Sequence, residues 1–212
     1  MKILVSAGPT RENIDPVRFI SNRSSGKMGY AIASASMNAG HETTLVSGPV
    51  AIPQPPGVQV FFVESAAQMA CEIRRLAPCA DIIIMAAAVS DYRPAEESRS
   101  DSKIKKKSER IVLTFEKTED ILAELGKNKK DGQILVGFAA ETEDIIENAL
   151  KKIKFKNLDW IIANDVSKKN IGFDSGINEV AMIYKDGQIL HFPEMDKKLL
   201  GKEILSVIIA RL

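Results

Sequence analysis

Asp81-Ile82-Ile83-Ile84-Met85-Ala86-Ala87-Ala88-Val89 places eight apolar residues in a row behind one acid. A strand with one wet face alternates apolar and polar side chains. An unbroken apolar run is the pattern of a strand covered on both faces, as in a parallel sheet lying between layers of helices. Outward from this run, Ile3-Leu4-Val5 leads into Ser6-Ala7-Gly8-Pro9-Thr10, a second buried strand that stops at a loop. Residues 11–26 read as polar and irregular. A helix starts near Lys27, with Met28, Ile32, Ala33, Ala35, Ser36 and Ala39 on a small-residue face and Gly40 as its stop.

The alternation continues. Residues 43–46 and 58–63 read as strands, and residues 66–76 as a helix capped by Ser65. Further strands are expected at 111–115, 134–140 and 160–163, with helices over roughly 119–127 and 143–155. Residues 180–184 and 188–192 flank Asp186-Gly187, a dipeptide that suits the positive-φ turn of a hairpin. An amphipathic helix closes the chain from about 197 to 211. The predicted fold is α/β: a doubly wound, mostly parallel, Rossmann-like sheet with helices on both faces. A flap over about 92–110, nearly all polar with little to bury and so expected to be a mobile excursion, and the C-terminal β-hairpin over about 180–192 complete a single domain spanning 1–212.

Bulk properties exclude several function classes. Twenty-nine basic against twenty-eight acidic residues leave a net charge of +1, so no global field draws the chain to nucleic acid or a membrane surface. The lysines are nonetheless uneven: Lys103, Lys105, Lys106 and Lys107 crowd together, as do Lys151, Lys152, Lys154 and Lys156. Cys71 and Cys79 lie eight residues apart, which is no metal-ligand spacing, and two thiols suit a reducing compartment. His41 and His191 are too few for a histidine-rich metal site. The first residues run straight into a strand rather than a leader, and no apolar run approaches the ~20 residues of a membrane helix. A cytoplasmic protein is expected, without nucleic acid or membrane as partner.

Four stretches could carry chemistry. In Ser21-Asn22-Arg23-Ser24-Ser25-Gly26-Lys27-Met28-Gly29, hydroxyls and glycines lead into a helix N-terminus, where free backbone N–H groups and the helix dipole favour an anion. The stretch is no P-loop, since Ser21 and Met28 stand where that motif needs Gly and Ser or Thr. A well-capped helix start without ligand remains the alternative. Ala86-Ala87-Ala88-Val89-Ser90-Asp91 ends the central strand in small residues that let a ligand approach the backbone. Asp91 could accept from a ribose hydroxyl or base amino group, help hold magnesium, or merely cap a turn. Lys103-Ile104-Lys105-Lys106-Lys107 is either a solvated flap or a source of cations for a triphosphate. Gly137-Phe138-Ala139-Ala140-Glu141-Thr142 repeats the small-residue logic, with Phe138 free to stack on a base or to fill the core.

Taken in order, Thr10-Arg11-Glu12, Ile14 to Asn22, Ser24 to Gly29, AAAVSDYRP, KIKK, GFAAET and Lys156-Asn157-Leu158-Asp159 resemble the phosphopantothenate–cysteine ligase family, in its bacterial, CTP-using form. The resemblance covers essentially the whole chain. It implies a two-step ligation of 4′-phosphopantothenate to L-cysteine through an acyl-cytidylate, with Mg2+ accompanying CTP. On the family's pattern Asn22 handles the acyl-cytidylate and Lys103 is the catalytic lysine facing the triphosphate. Nucleotide-site positions fall on Met85, Ala86, Ala87, Asp91, Lys103, Glu119, Asp120, Ile121, Leu122, Phe138, Lys152 and Lys156. Ser24, Ser25 and Gly26, with Asn22, fall on the phosphate and substrate side. Glu119 stands where the family commonly has proline. The metal ligands stay unassigned. The resemblance further implies a homodimer, with the flap and the hairpin near the partner subunit. The flavin decarboxylase half that precedes this domain in bifunctional relatives is not in the sequence, so the resemblance leaves two alternatives: an excised domain of such a protein, or a free-standing synthetase with a possible separate decarboxylase.

Two other readings compete. A nicotinamide-dependent reductase would need a Tyr-x-x-x-Lys pair, yet Tyr30, Tyr92 and Tyr184 are followed by Ser34, Glu96 and Gln188. A non-catalytic nucleotide-binding module would bind CTP without releasing pyrophosphate.

Overall fold

The computed structural model describes residues 1–106, 109–141, 144–165 and 175–211. Its centre is β1 (Lys2–Ala7), hydrogen-bonded in parallel to β4 (Glu42–Ser47) on one side and β6 (Ile82–Met85) on the other. With β5 (Gln59–Phe62), β9 (Ile134–Glu141), β10 (Trp160–Asp165), β11 (Ile177–Tyr184) and β12 (Ile189–Asp196), these form one eight-stranded sheet. Its order is β12-β11-β10-β9-β6-β1-β4-β5. Pairing is parallel from β5 through β10, and antiparallel between β10 and β11 and between β11 and β12. The hairpin is therefore the edge of the main sheet, and it is longer at both ends than 180–192.

Side-chain alternation splits the core into two layers. Ile3, Val5, Ile82, Ile84 and Trp160 face α1 (Lys27–Asn38) and α5 (Lys197–Ile209). Leu4, Ile83, Leu135 and Ile161 face α2 (Ala66–Leu76), α3 (Ile121–Lys127) and α4 (Ile145–Phe155). Ile82, Ile83 and Ile84 are all buried, and each stabilises the fold by about 1.5–3 kcal/mol through burial. This is the doubly wound architecture expected from the apolar runs. Helix α2 carries the full capping box: the Ser65 hydroxyl accepts from Gln68 N–H, and the Gln68 side chain accepts from Ser65 N–H.

Three expectations need correction. The run at 81–89 is strand only as far as Met85. Beyond it, Ala87 N–H donates to the Ser6 side chain rather than to a backbone carbonyl, which interrupts the ladder, and Ala88 rejoins it only as a single parallel bridge to Pro9. Residues 11–26 are not irregular throughout: β2 (Arg11–Asn13) and β3 (Phe19–Ser21) pair as an antiparallel ribbon. The ribbon is tied down at long range, since Arg11 N–H donates to the Glu64 carbonyl and buried Glu12 accepts from Ala66 N–H at 2.8 Å.

The third correction concerns the flap. Its first residues form β7 (Tyr92–Pro94), paired with β8 (Phe115–Lys117), so the strand expected at 111–115 lies further along. Ala95 and Ser98 are buried, and the Ser98 hydroxyl accepts from Thr114 N–H at 2.7 Å. A short segment can thus be polar overall and still be ordered, because hydrogen bonds across the ribbon replace apolar burial. Lys107 lies outside the described residues, as do the first residue of the helix expected at 143–155 and Thr142 of the GFAAET stretch.

Candidate active site

The carboxyl ends of β6, β9 and β10 open into a cleft of about 420 Å³ beside the start of α1. This is where open α/β sheets bind ligands. Two glycines make the approach possible. Gly26 precedes α1 with φ of 74°, a left-handed conformation that side chains with a Cβ resist. At Gly29 a Cβ would sit 2.5 Å from the Ala7 Cβ and 2.8 Å from the Ser6 carbonyl oxygen, so only glycine lets α1 lie this close to β1. Gly26 at the N-cap has no side chain to cap α1, and its N–H donates to Ser24 Oγ at 3.3 Å. The first-turn amides and the positive end of the dipole therefore face the cleft as an anion site.

Asn22 closes one wall. Its amide nitrogen donates to the Val89 carbonyl at 2.9 Å and the Ala88 carbonyl at 3.3 Å. Thr10 and Ser21 support it: Ser21 Oγ donates to the Thr10 carbonyl, and Thr10 Oγ1 accepts from Ser90 N–H. Asp91 lies past this bend, exposed, and its own carbonyl accepts from Thr118 N–H. Across the cleft, half-buried Phe138 comes from β9 and Lys152 from α4.

The cleft brings together Asn22, Ser24, Ser25, Gly26, Ala86, Ala87, Asp91, Phe138 and Lys152 from the sequence-derived set. The other members stand elsewhere. Met85 is buried in the core layer under α2. Ile121 is also buried there, with Leu122 packed beside it. The Glu119 carboxylate is drawn away to Arg74 on α2, which also grips Glu124 and holds its carboxyl down at about 2. Asp120 caps α3 by accepting from Ala123 N–H and pairs with Lys156 at 2.8 Å. Burial pulls the Asp120 carboxyl up, but Lys156 and the Ala123 amide outweigh it and hold it below the ordinary value. Lys103 is exposed and lies on the ribbon side, outside the cleft wall.

Lys156-Asn157-Leu158-Asp159 proves to be a structural hub. Asn157 adopts φ of 51° just past α4 and donates to the Gly126 carbonyl. Asp159 is buried, accepts from Leu135 N–H, and pairs with Lys129 at 3.0 Å and Lys185 at 2.8 Å.

Sequence reasoning missed three residues of the wall: Asn164, Asn178 and Lys197. All are buried, and the Oδ1 atoms of both asparagines have no hydrogen-bond partner among the described residues. A polar residue closing the apolar run Trp160-Ile161-Ile162-Ala163 was the signal for Asn164. Nothing local marks Asn178 or Lys197. Among the described residues no three His, Cys, Asp or Glu side chains converge as a metal site, and Asp91 is the only carboxylate of the cleft. No helix among the described residues is long and apolar enough to cross a membrane.

Comparison with known proteins follows the same outline. The family model described as the DNA/pantothenate metabolism flavoprotein C-terminal domain matches residues 1–212. The coenzyme A biosynthesis bifunctional protein CoaBC of Bacillus subtilis (strain 168) is 47% identical over 209 residues, which cover 98% of this chain and 51% of that protein. The protein of the same name from Escherichia coli (strain K12) is 42% identical over 214 residues, covering 52% of its length. The chain thus spans about half the length of the curated relatives it matches. Among solved structures, the C-terminal domain of a CoaBC protein superposes with a TM-score of 0.82 at 43% identity, covering 98% of this chain and 93% of that one. A DNA/pantothenate metabolism flavoprotein from Streptococcus pneumoniae gives 0.82 at 28% identity, with both chains fully covered.

Proposed function

This chain belongs to the DNA/pantothenate metabolism flavoprotein C-terminal domain family, and from that premise we propose that it ligates 4′-phosphopantothenate to L-cysteine with CTP, in coenzyme A biosynthesis. The observation that carries this reading is the gathering of an uncapped helix start, Asn22, Asp91, Phe138 and Lys152 in one cleft at the carboxyl edge of the sheet.

Two displacements make up the reaction. A carboxylate oxygen of phosphopantothenate attacks the α-phosphorus of CTP, and pyrophosphate leaves. The cysteine amine then attacks the acyl carbon of the acyl-cytidylate, CMP leaves with the bridging oxygen, and the amine gives up a proton. The α1 amides with Ser24 and Ser25 receive a phosphate, Phe138 stacks on the base, and Asp91 takes a ribose hydroxyl or base amine. Lys152 supplies positive charge to the phosphates from the cleft wall, and Lys103, which stands outside that wall, would do so by reaching in from the flap. Asn22 holds the strand end through two bonds, and the longer one, to Ala88, is the one an acyl oxygen would displace. Magnesium brought by CTP needs only one or two protein carboxylates, which fits Asp91, the one carboxylate that lines the cleft among the described residues. When bound, that ion neutralises triphosphate charge.

A homodimer forms part of the proposal, supported by exposed Val17 and Phe19 beside β3 and Tyr92, Ile111 and Val112 beside β7 and β8. So does a cytoplasmic setting. The test is a nucleotide panel with phosphopantothenate and cysteine, following pyrophosphate and product mass. CTP should give phosphopantothenoylcysteine. Binding of CTP without pyrophosphate release would reduce the chain to a nucleotide-binding module.

A further inference from the structure

Asp15 is a buried acid, 3% exposed, that the ligation chemistry leaves without a task. Its two oxygens divide their work. Oδ1 accepts from Val17 N–H and Arg18 N–H, both at 2.9 Å, and so shapes the turn between β2 and β3. Oδ2 accepts from Ile104 N–H at 3.1 Å, 89 residues away, and pairs with Arg18 Nη2 at 3.1 Å. That same Nη2 donates to the Ile104 carbonyl at 2.6 Å. Ile104 is thus gripped at its N–H by Asp15 and at its carbonyl by Arg18. Ser100 N–H adds a third tie, to the Ile14 carbonyl at 3.0 Å.

Lys103 immediately precedes this gripped residue. A lysine on an unattached polar segment would sample a wide volume, and most of those positions would bring no charge to a triphosphate. Pinning the next residue by charge-assisted bonds removes much of that freedom before any ligand arrives. We propose that Asp15, acting with Arg18, is a positioning residue that fixes the backbone beside Lys103 and so sets where that ammonium can reach. The inference rests on the ligase reading for its kinetic consequence, but the grip itself does not.

Asp15→Asn separates the two tasks. The asparagine Oδ1 can still accept from Val17 and Arg18, whereas its NH2 group would face the Ile104 N–H, donor against donor, and loses the charge that Arg18 pairs with. Backbone exchange at Ile104 should accelerate by about tenfold or more beyond the acceleration seen at core amides of β1 and β6, which report any loss of global stability. Pyrophosphate release should slow by about tenfold or more with little change in the KM for cysteine. Asp15→Asn combined with Lys103→Gln should be no slower than Lys103→Gln alone, because both act through one ammonium. Unchanged exchange at Ile104, or losses that multiply in the double variant, would overturn the proposal. If the wild-type chain released no pyrophosphate at all, the ligase reading would fall, and the exchange measurement would still decide whether Asp15 holds the segment.

Discussion

Asn22 and Val89 lie 67 positions apart in the chain and are joined by one 2.9 Å hydrogen bond, from the asparagine amide to the valine carbonyl. That bond fastens the loop leading into α1 to the end of the central strand, so the anion site and the strand end move as one wall. It also gives Asn22 a structural task, holding the cleft, beside the ligand contact proposed for it.

Asn22→Asp should therefore do more than remove a donor. A carboxylate would face the Ala88 and Val89 carbonyls with no proton to offer. Acyl-cytidylate should accumulate, detectable by mass, with the cysteine step slowed by about 10²–10³ as for loss of an oxyanion donor. Equal slowing of both steps, with no trapped intermediate, would remove Asn22 from the second step.

Lys103→Gln removes an exposed charge, so stability should change by no more than about 0.5 kcal/mol. Pyrophosphate release should fall by about a hundredfold or more. Stopped-flow detection of pyrophosphate beside a thermal melt checks both halves, and normal activation kinetics would exclude Lys103 from the reaction.

Gly29→Ala would press a methyl group into Ala7 and the Ser6 carbonyl. Overpacking of this kind costs about 1–3 kcal/mol, so the melting temperature should fall by several degrees. Because α1 must shift off β1, CTP affinity should drop in parallel, measurable by calorimetry. Unaltered stability would mean that the helix can slide without strain.

Asp159 links stability to pH. Burial raises its carboxyl, but Lys185, the Leu135 amide and Lys129 together hold it below the ordinary value of 3.8. A carboxyl with a lowered folded-state pKa stabilises the fold above its unfolded value, and that contribution disappears as pH falls through the folded one. Wild type should lose stability from about pH 5 downward. Asp159→Asn should be less stable at pH 7 by about 3 kcal/mol, because two lysines lose their partner, and should show a flatter acid limb. Denaturant titrations at pH 7 and pH 3.5 compare the two, and parallel acid limbs would acquit Asp159.

What the chain's local order determined is the framework. Continuous apolar runs at Ile82-Ile83-Ile84 and Trp160-Ile161-Ile162, the Ser65–Gln68 capping box and Asp186-Gly187 act over a few residues, so strand, helix and turn are legible without knowing any neighbour. The anion site is legible for the same reason, since Ser24, Ser25 and Gly26 are consecutive. Tertiary structure alone decided the rest. Residues 11–21 form a ribbon because Glu12 reaches Ala66, and the polar flap is ordered at its start because Ser98 meets Thr114. Glu119 stands outside the cleft, paired with Arg74 on another helix, while Asn164, Asn178 and Lys197 line the cleft from strands and a helix far along the chain. A side chain's task is set by whichever charge or donor the fold brings within about 3 Å, and that partner is not written beside it in the sequence.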